Sequence, residues 1–128
     1  MAQMSDFLEN KLIDHVFRNT TYAQAGTVYL ALFTSDPTDA GTGTEMTGGG
    51  YARQPITFAA PTDGATSNEA DVVFPAATGD WAAVTHVGIM DAATAGNLVM
   101  HQVLTNPVTV LDTNNFRMPA GQFTLTFA

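Results

Sequence analysis

Residues 84–104, VTHVGIMDAATAGNLVMHQVL, place two seven-residue apolar runs on either side of a segment built from Asp, Ala, Thr, Gly and Asn. Runs of this length, rich in Val and Ile and separated by turn chemistry, read as a β-hairpin. Folding between Ala93 and Thr94 sets His86 opposite His101 and Val84 opposite Val103 on one side. Val87, Ile89, Leu98 and Met100 then point into the core from the other.

Working outward, the same reading gives strands at residues 27–34, 51–58, 70–74, 108–111, 115–118 and 122–127, so that eight strands are expected in all. Residues 27–34, TVYLALFT, are apolar on both alternations and stop at Ser35-Asp36-Pro37, the pattern of a strand buried on both faces. Crossover helices for a parallel sheet are missing, which leaves antiparallel pairing. The expected fold is mainly β: an antiparallel sandwich, jelly-roll-like or Ig-like, with one N-terminal helix. A single domain spans 1–128, with the helix at 5–18 and the sandwich at 27–128.

The helix is read from SDFLENKLIDHVFR. Ser5 or Asp6 caps it, Asp6 and Glu9 lie near its positive end and Arg18 near its negative end. On a 3.6-residue period Leu8, Leu12, Ile13, Val16 and Phe17 form the arc expected to be buried, whereas Phe7 falls among polar residues beside Lys11 and Arg18. That outward combination of a ring and two cations is a candidate docking face. Residues 39–50, DAGTGTEMTGGG, carry five glycines and are expected to be a mobile loop, with Glu45 and Met46 as a second candidate contact.

Composition narrows the function classes. Four basic residues against twelve acidic ones give a formal charge of −8, so counterion release has little to drive nucleic-acid binding. The same deficit disfavours anionic membranes, and no apolar run approaches the roughly 20 residues of a bilayer span. The N-terminus lacks the pattern of a secretory signal, which points to a soluble protein made in a cytoplasm. Only 12% of residues are charged, about half the usual share, so close packing against neighbouring subunits costs little desolvation. With no Cys, stability must come from packing and subunit contacts rather than disulfides or thiolate metal sites.

Catalytic constellations are absent from the sequence pattern. His86 and His101 offer two ligands where a zinc site takes three or four, so they read as partly exposed side chains bonded to neighbours. The serines, Ser5, Ser35 and Ser67, lie outside any nucleophile-elbow motif. Acidic residues from Asp36 to Asp80 lie in or beside loops, where carboxylates usually cap turns, and Asp36, Asp39 and Glu45 miss calcium-loop spacing. The Gly48–Gly50 triplet lacks the Lys-Ser/Thr pair of a phosphate loop. Trp81 reads as a core lid, Tyr51 as a packed ring, and Arg53 as half of an ion pair across an interface. No catalytic, cofactor or metal residues are assigned, and the chain is not expected to be an enzyme.

The segments SDFLENKLIDHVFRNTTY, VYLALFTSDPTDAGTGTE, GGGYARQPITF, FPAATGDWAAVTHVGIMDAATAGNLV and FRMPAGQFTLTF, in that order, resemble short bacteriophage proteins of the tail-fibre-like or virion structural class. Two turns depart from that pattern: Ala82 stands where a Gly commonly follows the Trp, and Ala23-Gln24-Ala25 where a Pro-containing turn precedes the first strand. The resemblance implies a virion protein assembled in the host cytoplasm, with major capsid or tail proteins as partners. A homo-oligomer is expected, a trimer first. Lacking fibrous repeats, the chain is expected to be a compact block for capsid decoration, cementing or fibre attachment; a receptor- or carbohydrate-binding tail module is the alternative. Phe7, Lys11, Arg18, Glu45 and Met46 are the expected partner-binding residues.

Overall fold

The computed structural model describes residues 2–127. Among them the chain forms β1 (Gln3–Met4), α1 (Asp6–Phe17), β2 (Val28–Phe33), β3 (Gln54–Ile56), β4 (Ala65–Ser67), β5 (Val72–Val73), β6 (Val84–Met90), β7 (Leu98–Val108), β8 (Arg117–Met118) and β9 (Thr124–Thr126). All pairings are antiparallel, as expected for strands joined without crossover helices. A five-stranded sheet runs in the order β1-β7-β6-β2-β3, and β4-β9 and β5-β8 form two short ladders.

The arrangement is sandwich-like because one face of the large sheet shares a core with the segments that carry the short ladders. Leu30, Leu32, Val87, Ile89 and Met100 pack in one cluster with Phe74, Trp81, Phe116 and Phe123. The rings meet mostly edge to face, Phe74 with Phe116 at 5.7 Å and Phe58 with Phe123 at 6.1 Å, the geometry their quadrupoles favour. On the opposite face Ala31, Phe33, Met90 and Leu98 form a second, smaller cluster.

The central hairpin forms, with a register two residues from the expected one. His86 faces Val103 and Gly88 faces His101, so the two imidazoles are diagonal neighbours rather than opposite each other. The turn sets this register. Asp91 accepts hydrogen bonds from the backbone and side chain of Asn97 at 2.7 and 3.0 Å, which closes the loop around Thr94 with Ala95 and Gly96 at positive φ. A bulge between Ile89 and Met90 then turns Leu98 to the face opposite Met100, into the second cluster.

Three other expectations shift. The strand expected at 98–104 runs on to Val108 as β7, although Pro107 interrupts its donors, and the separate strand expected at 108–111 does not form, residues 109–111 lying outside any strand. Residues 65–67, read as turn, form β4 after an Asp63-Gly64 turn in which both residues take positive φ. β1 was not expected; at two residues it is too short to leave a periodic signal.

The helix runs from Asp6 to Phe17, with Ser5 as its N-cap accepting from the Leu8 amide at 3.2 Å. Its buried arc is much narrower than the periodicity predicts. Leu8 is buried and Leu12 half-buried, while Ile13, Val16 and Phe17 are 51%, 63% and 80% exposed. The cause is geometric. β1 delivers α1 at the edge of the sheet, where Ser5 Oγ donates to Leu98 O at 2.5 Å, and beyond its first turns the helix outruns the sheet.

Candidate interaction surface

The outward helix face joins two features. Phe7 is half-buried, edge to face with Tyr22 at 6.2 Å, and Lys11 Nζ lies 5.8 Å from the Phe7 ring centroid. Lys11 and Phe7 are therefore held together, as their i,i+4 spacing requires. Arg18 pairs with Asp14 at 2.7 Å and remains mostly exposed. All three arginines pair with carboxylates of the chain, and of the four basic residues Lys11 lies on α1 and Arg18 at its C-cap. The uncovered line of Ile13, Val16 and Phe17 lies on the other side of the helix's buried arc from Lys11.

The Gly-rich segment is tied down rather than loose. The Thr34 and Met46 amides donate to Thr44 O and Leu32 O at 2.9 and 2.8 Å, and Phe33 bridges to Glu45. Met46 is buried in the main cluster, so its side chain offers no contact surface. Glu45 is likewise engaged internally. Arg53 Nε and Nη2 donate to its two carboxylate oxygens at 2.8 and 2.7 Å, and the Tyr51 hydroxyl donates at 2.6 Å. Arg53 Nη1 also donates to the carbonyls of Ala92 and Ala95, at 2.8 and 2.7 Å, fastening the hairpin turn to the same node. The ion pair expected across an interface is thus made inside the chain, where five glycines let the backbone bend Glu45 back onto Arg53.

Burial raises the Glu45 pKa, but the hydrogen bonds and charge of Arg53 and Tyr51 outweigh it and hold the carboxyl below its ordinary value of 4.5. The Tyr51 hydroxyl is pushed up by its own burial and by the neighbouring carboxylate. A carboxyl depressed on folding stabilises the fold fully above its unfolded pKa and loses that contribution as pH falls through its folded pKa. Thermal melts should therefore show Tm flat from neutral pH to about pH 5 and falling below about 4.5, with Glu45→Gln flattening that fall. An equal acid slope in Glu45→Gln would assign the loss to other carboxylates.

The histidines serve the loop that follows β2. His101 is buried and its Nε2 lies 2.7 Å from Asp39 Oδ1, while His86 Nε2 lies 3.9 Å from Asp36 Oδ1. They act as two props for residues 36–39 on the second face of the sheet, and His101 is more enclosed than its sequence position suggests. Among the described residues no three His, Asp or Glu side chains gather in ligating geometry.

A cavity of about 460 Å³ opens between this loop and the helix start, floored by Phe33, Met90 and Leu98 and edged by Asp6, Asp39 and Glu45. Two of its three carboxylates are already bonded, to His101 and Arg53.

Trp81 is 2% exposed, edge to face with Tyr51 and Phe74, and its Nε1 donates to Gly49 O at 2.8 Å. The loop needs a glycine there: a Cβ on Gly49, at φ +58°, would stand 2.6 Å from the indole. Trp81 presents no open ring face to solvent of the kind a sugar would stack on, and Tyr51 is half-buried with its ring stacked on Phe74. No described helix is long and apolar enough to cross a membrane.

Residues 3–126 match a family model described as Podophage GP4 fiber I protein gp80. No match is found among curated proteins.

Proposed function

Because the chain belongs to the Podophage GP4 fiber I protein gp80 family, a phage fibre family of virion structural proteins, we propose that it is a non-catalytic attachment block on the particle exterior. It holds to other virion subunits by protein–protein contact through the outward side of α1. The observation that carries this reading is the exposed apolar line of Ile13, Val16 and Phe17 on α1, in which Val16 and Phe17, at 63% and 80%, are the most exposed large apolar side chains among the described residues. Apolar side chains flanked by charge are the usual composition of a docking patch, with a dry centre and a polar rim. The family description favours fibre attachment over capsid decoration or cementing. Burial of Trp81 and the engagement of Tyr51 weigh against the carbohydrate-binding alternative.

Phage carrying Lys11→Glu with Arg18→Glu should incorporate this protein roughly tenfold less per particle, measured by quantitative mass spectrometry of purified virions. The isolated variant should keep its Tm, since both side chains are exposed. Normal incorporation would remove the helix face from assembly. Immunogold label on tails is expected; label spread over capsid faces would turn the reading to decoration.

A further inference from the structure

We infer that the cavity between the helix start and the loop after β2 receives an arginine side chain of a neighbouring virion protein. This is a second contact, separate from the helix face proposed above, and it does not rest on that face. The cavity measures about 460 Å³, within the roughly 300–1,000 Å³ of sites that enclose a small ligand. That is room for one long side chain with the backbone that carries it. Its floor is apolar, made by Phe33, Met90 and Leu98, and the Phe7 ring forms part of its wall.

The rim selects the occupant by charge. Asp6, Asp39 and Glu45 border the cavity, and no Lys, Arg or His lines it. Their contacts within the chain leave acceptors over. Among the described residues nothing donates to the Asp6 carboxylate, His101 meets Asp39 at Oδ1 alone, and Glu45 Oε1 takes a single bond, from Arg53. The partial positive charge at the start of α1 is offset by Asp6 and Glu9 in its first turn. A cation on an aliphatic stem suits both halves of such a site, with the stem along the apolar floor and the head among the carboxylates.

Other occupants match less well. A metal ion needs its ligands converged on one point, and among the described residues no three His, Asp or Glu side chains do so. A guanidinium bonds instead to acceptors that stand apart, and its flat face packs on an aromatic ring. Lysine offers one compact ammonium, which spans the rim less well. An anionic group meets three carboxylates on a chain of formal charge −8. An apolar side chain would cover the rim without supplying a counter-charge.

The peptide acetyl-Gly-Arg-Gly-amide, titrated at low salt into the isotope-labelled intact chain and followed by amide chemical shifts, tests this. One side chain should bind saturably with a Kd of about 1 mM. The shifts should centre on Gly41, Gly43, Gly96 and Asn97, which line the cavity. The matching citrulline peptide, near-isosteric and uncharged, should bind about tenfold more weakly. Asp6→Asn should weaken binding of the arginine peptide about fivefold, and Asp6→Lys, which sets an ammonium at the rim, should abolish it. Asp6 is exposed, so both variants should keep wild-type shifts away from the cavity.

An absence of saturation, equal binding of the citrulline peptide, or shifts scattered over the acidic surface overturns the inference. In phage, Asp6→Lys should lower incorporation of this protein roughly tenfold, and normal incorporation overturns the inference as well. Lys11→Glu with Arg18→Glu reads the helix face separately, so a failure of one contact is distinguished from a failure of the other.

Discussion

Trp81→Ala is expected to cost about 4 kcal/mol of stability, enough to consume much of the roughly 5–15 kcal/mol that holds a domain of this size together. The indole is 2% exposed and forms the junction of three elements: the Phe74 segment, the Tyr51 ring and the Gly49 turn. Truncation leaves a cavity among aromatic rings and also strands the Gly49 carbonyl, which accepts from the indole nitrogen at 2.8 Å. The turn is packed against that indole, so its ordering should be lost with the ring. Trp81→Phe isolates the two contributions, since it keeps most of the packing and removes the donor; its cost should be about 2 kcal/mol.

Urea titration supplies both values, and wild-type fluorescence supplies an independent check. The chain has one Trp, so its emission should lie well to the blue of a solvated indole and resist quenching by acrylamide. A red, readily quenched signal with a neutral Trp81→Ala would place the ring at the surface and revive a carbohydrate-stacking role.

The second large effect is expected at Arg53. Its side chain is 7% exposed, and its guanidinium satisfies Glu45 twice and two carbonyls of the hairpin turn. Arg53→Ala leaves all four acceptors behind and a carboxylate without its counter-charge, at a cost of about 3 kcal/mol, because Glu45 retains some access to water. Tm should fall by on the order of 10 °C.

Arg53→Lys should recover little of this, since one ammonium cannot reproduce a planar fork that reaches both the carboxylate and the turn. Arg53→Ala paired with Glu45→Gln should be less damaging than the single change, because it removes the orphaned charge along with its partner. A Tm for Arg53→Ala within about 2 °C of wild type would mean that the node is a surface ion pair of little weight.

Much of this was legible in residues alone. The alternation in 84–104 and the turn residues between runs gave antiparallel strands, because side chains on a half-buried strand must alternate between two environments. Ser5, Asp6 and Arg18 marked the ends of a helix within one residue, because capping and dipole terms are local. The segments resembling phage tail-fibre-like proteins led to the family that residues 3–126 match.

The site was less legible. Phe7 and Lys11 could be paired from their spacing, but nothing in the sequence said that Ile13, Val16 and Phe17 would be left uncovered. Periodicity reports which side chains share a face and is silent on how far the neighbouring sheet extends. Glu45 and Met46 looked available because glycine-rich segments carry few contacts of their own; their partners, Arg53 and the main core, come from elsewhere in the chain.

What the sequence by itself determined about this protein is its class: antiparallel β with a capped N-terminal helix, acidic, and related to phage fibre proteins. Only the tertiary structure decided which groups are spent and which remain. A turn closed by Asp91 and Asn97 moved His86 and His101 out of register, and the hydrogen bonds of Arg53 drew Glu45 inward. The edge position of β1 left half of the helix's apolar arc facing outward. Each of these depends on where distant segments meet, a relation that local periodicity cannot encode.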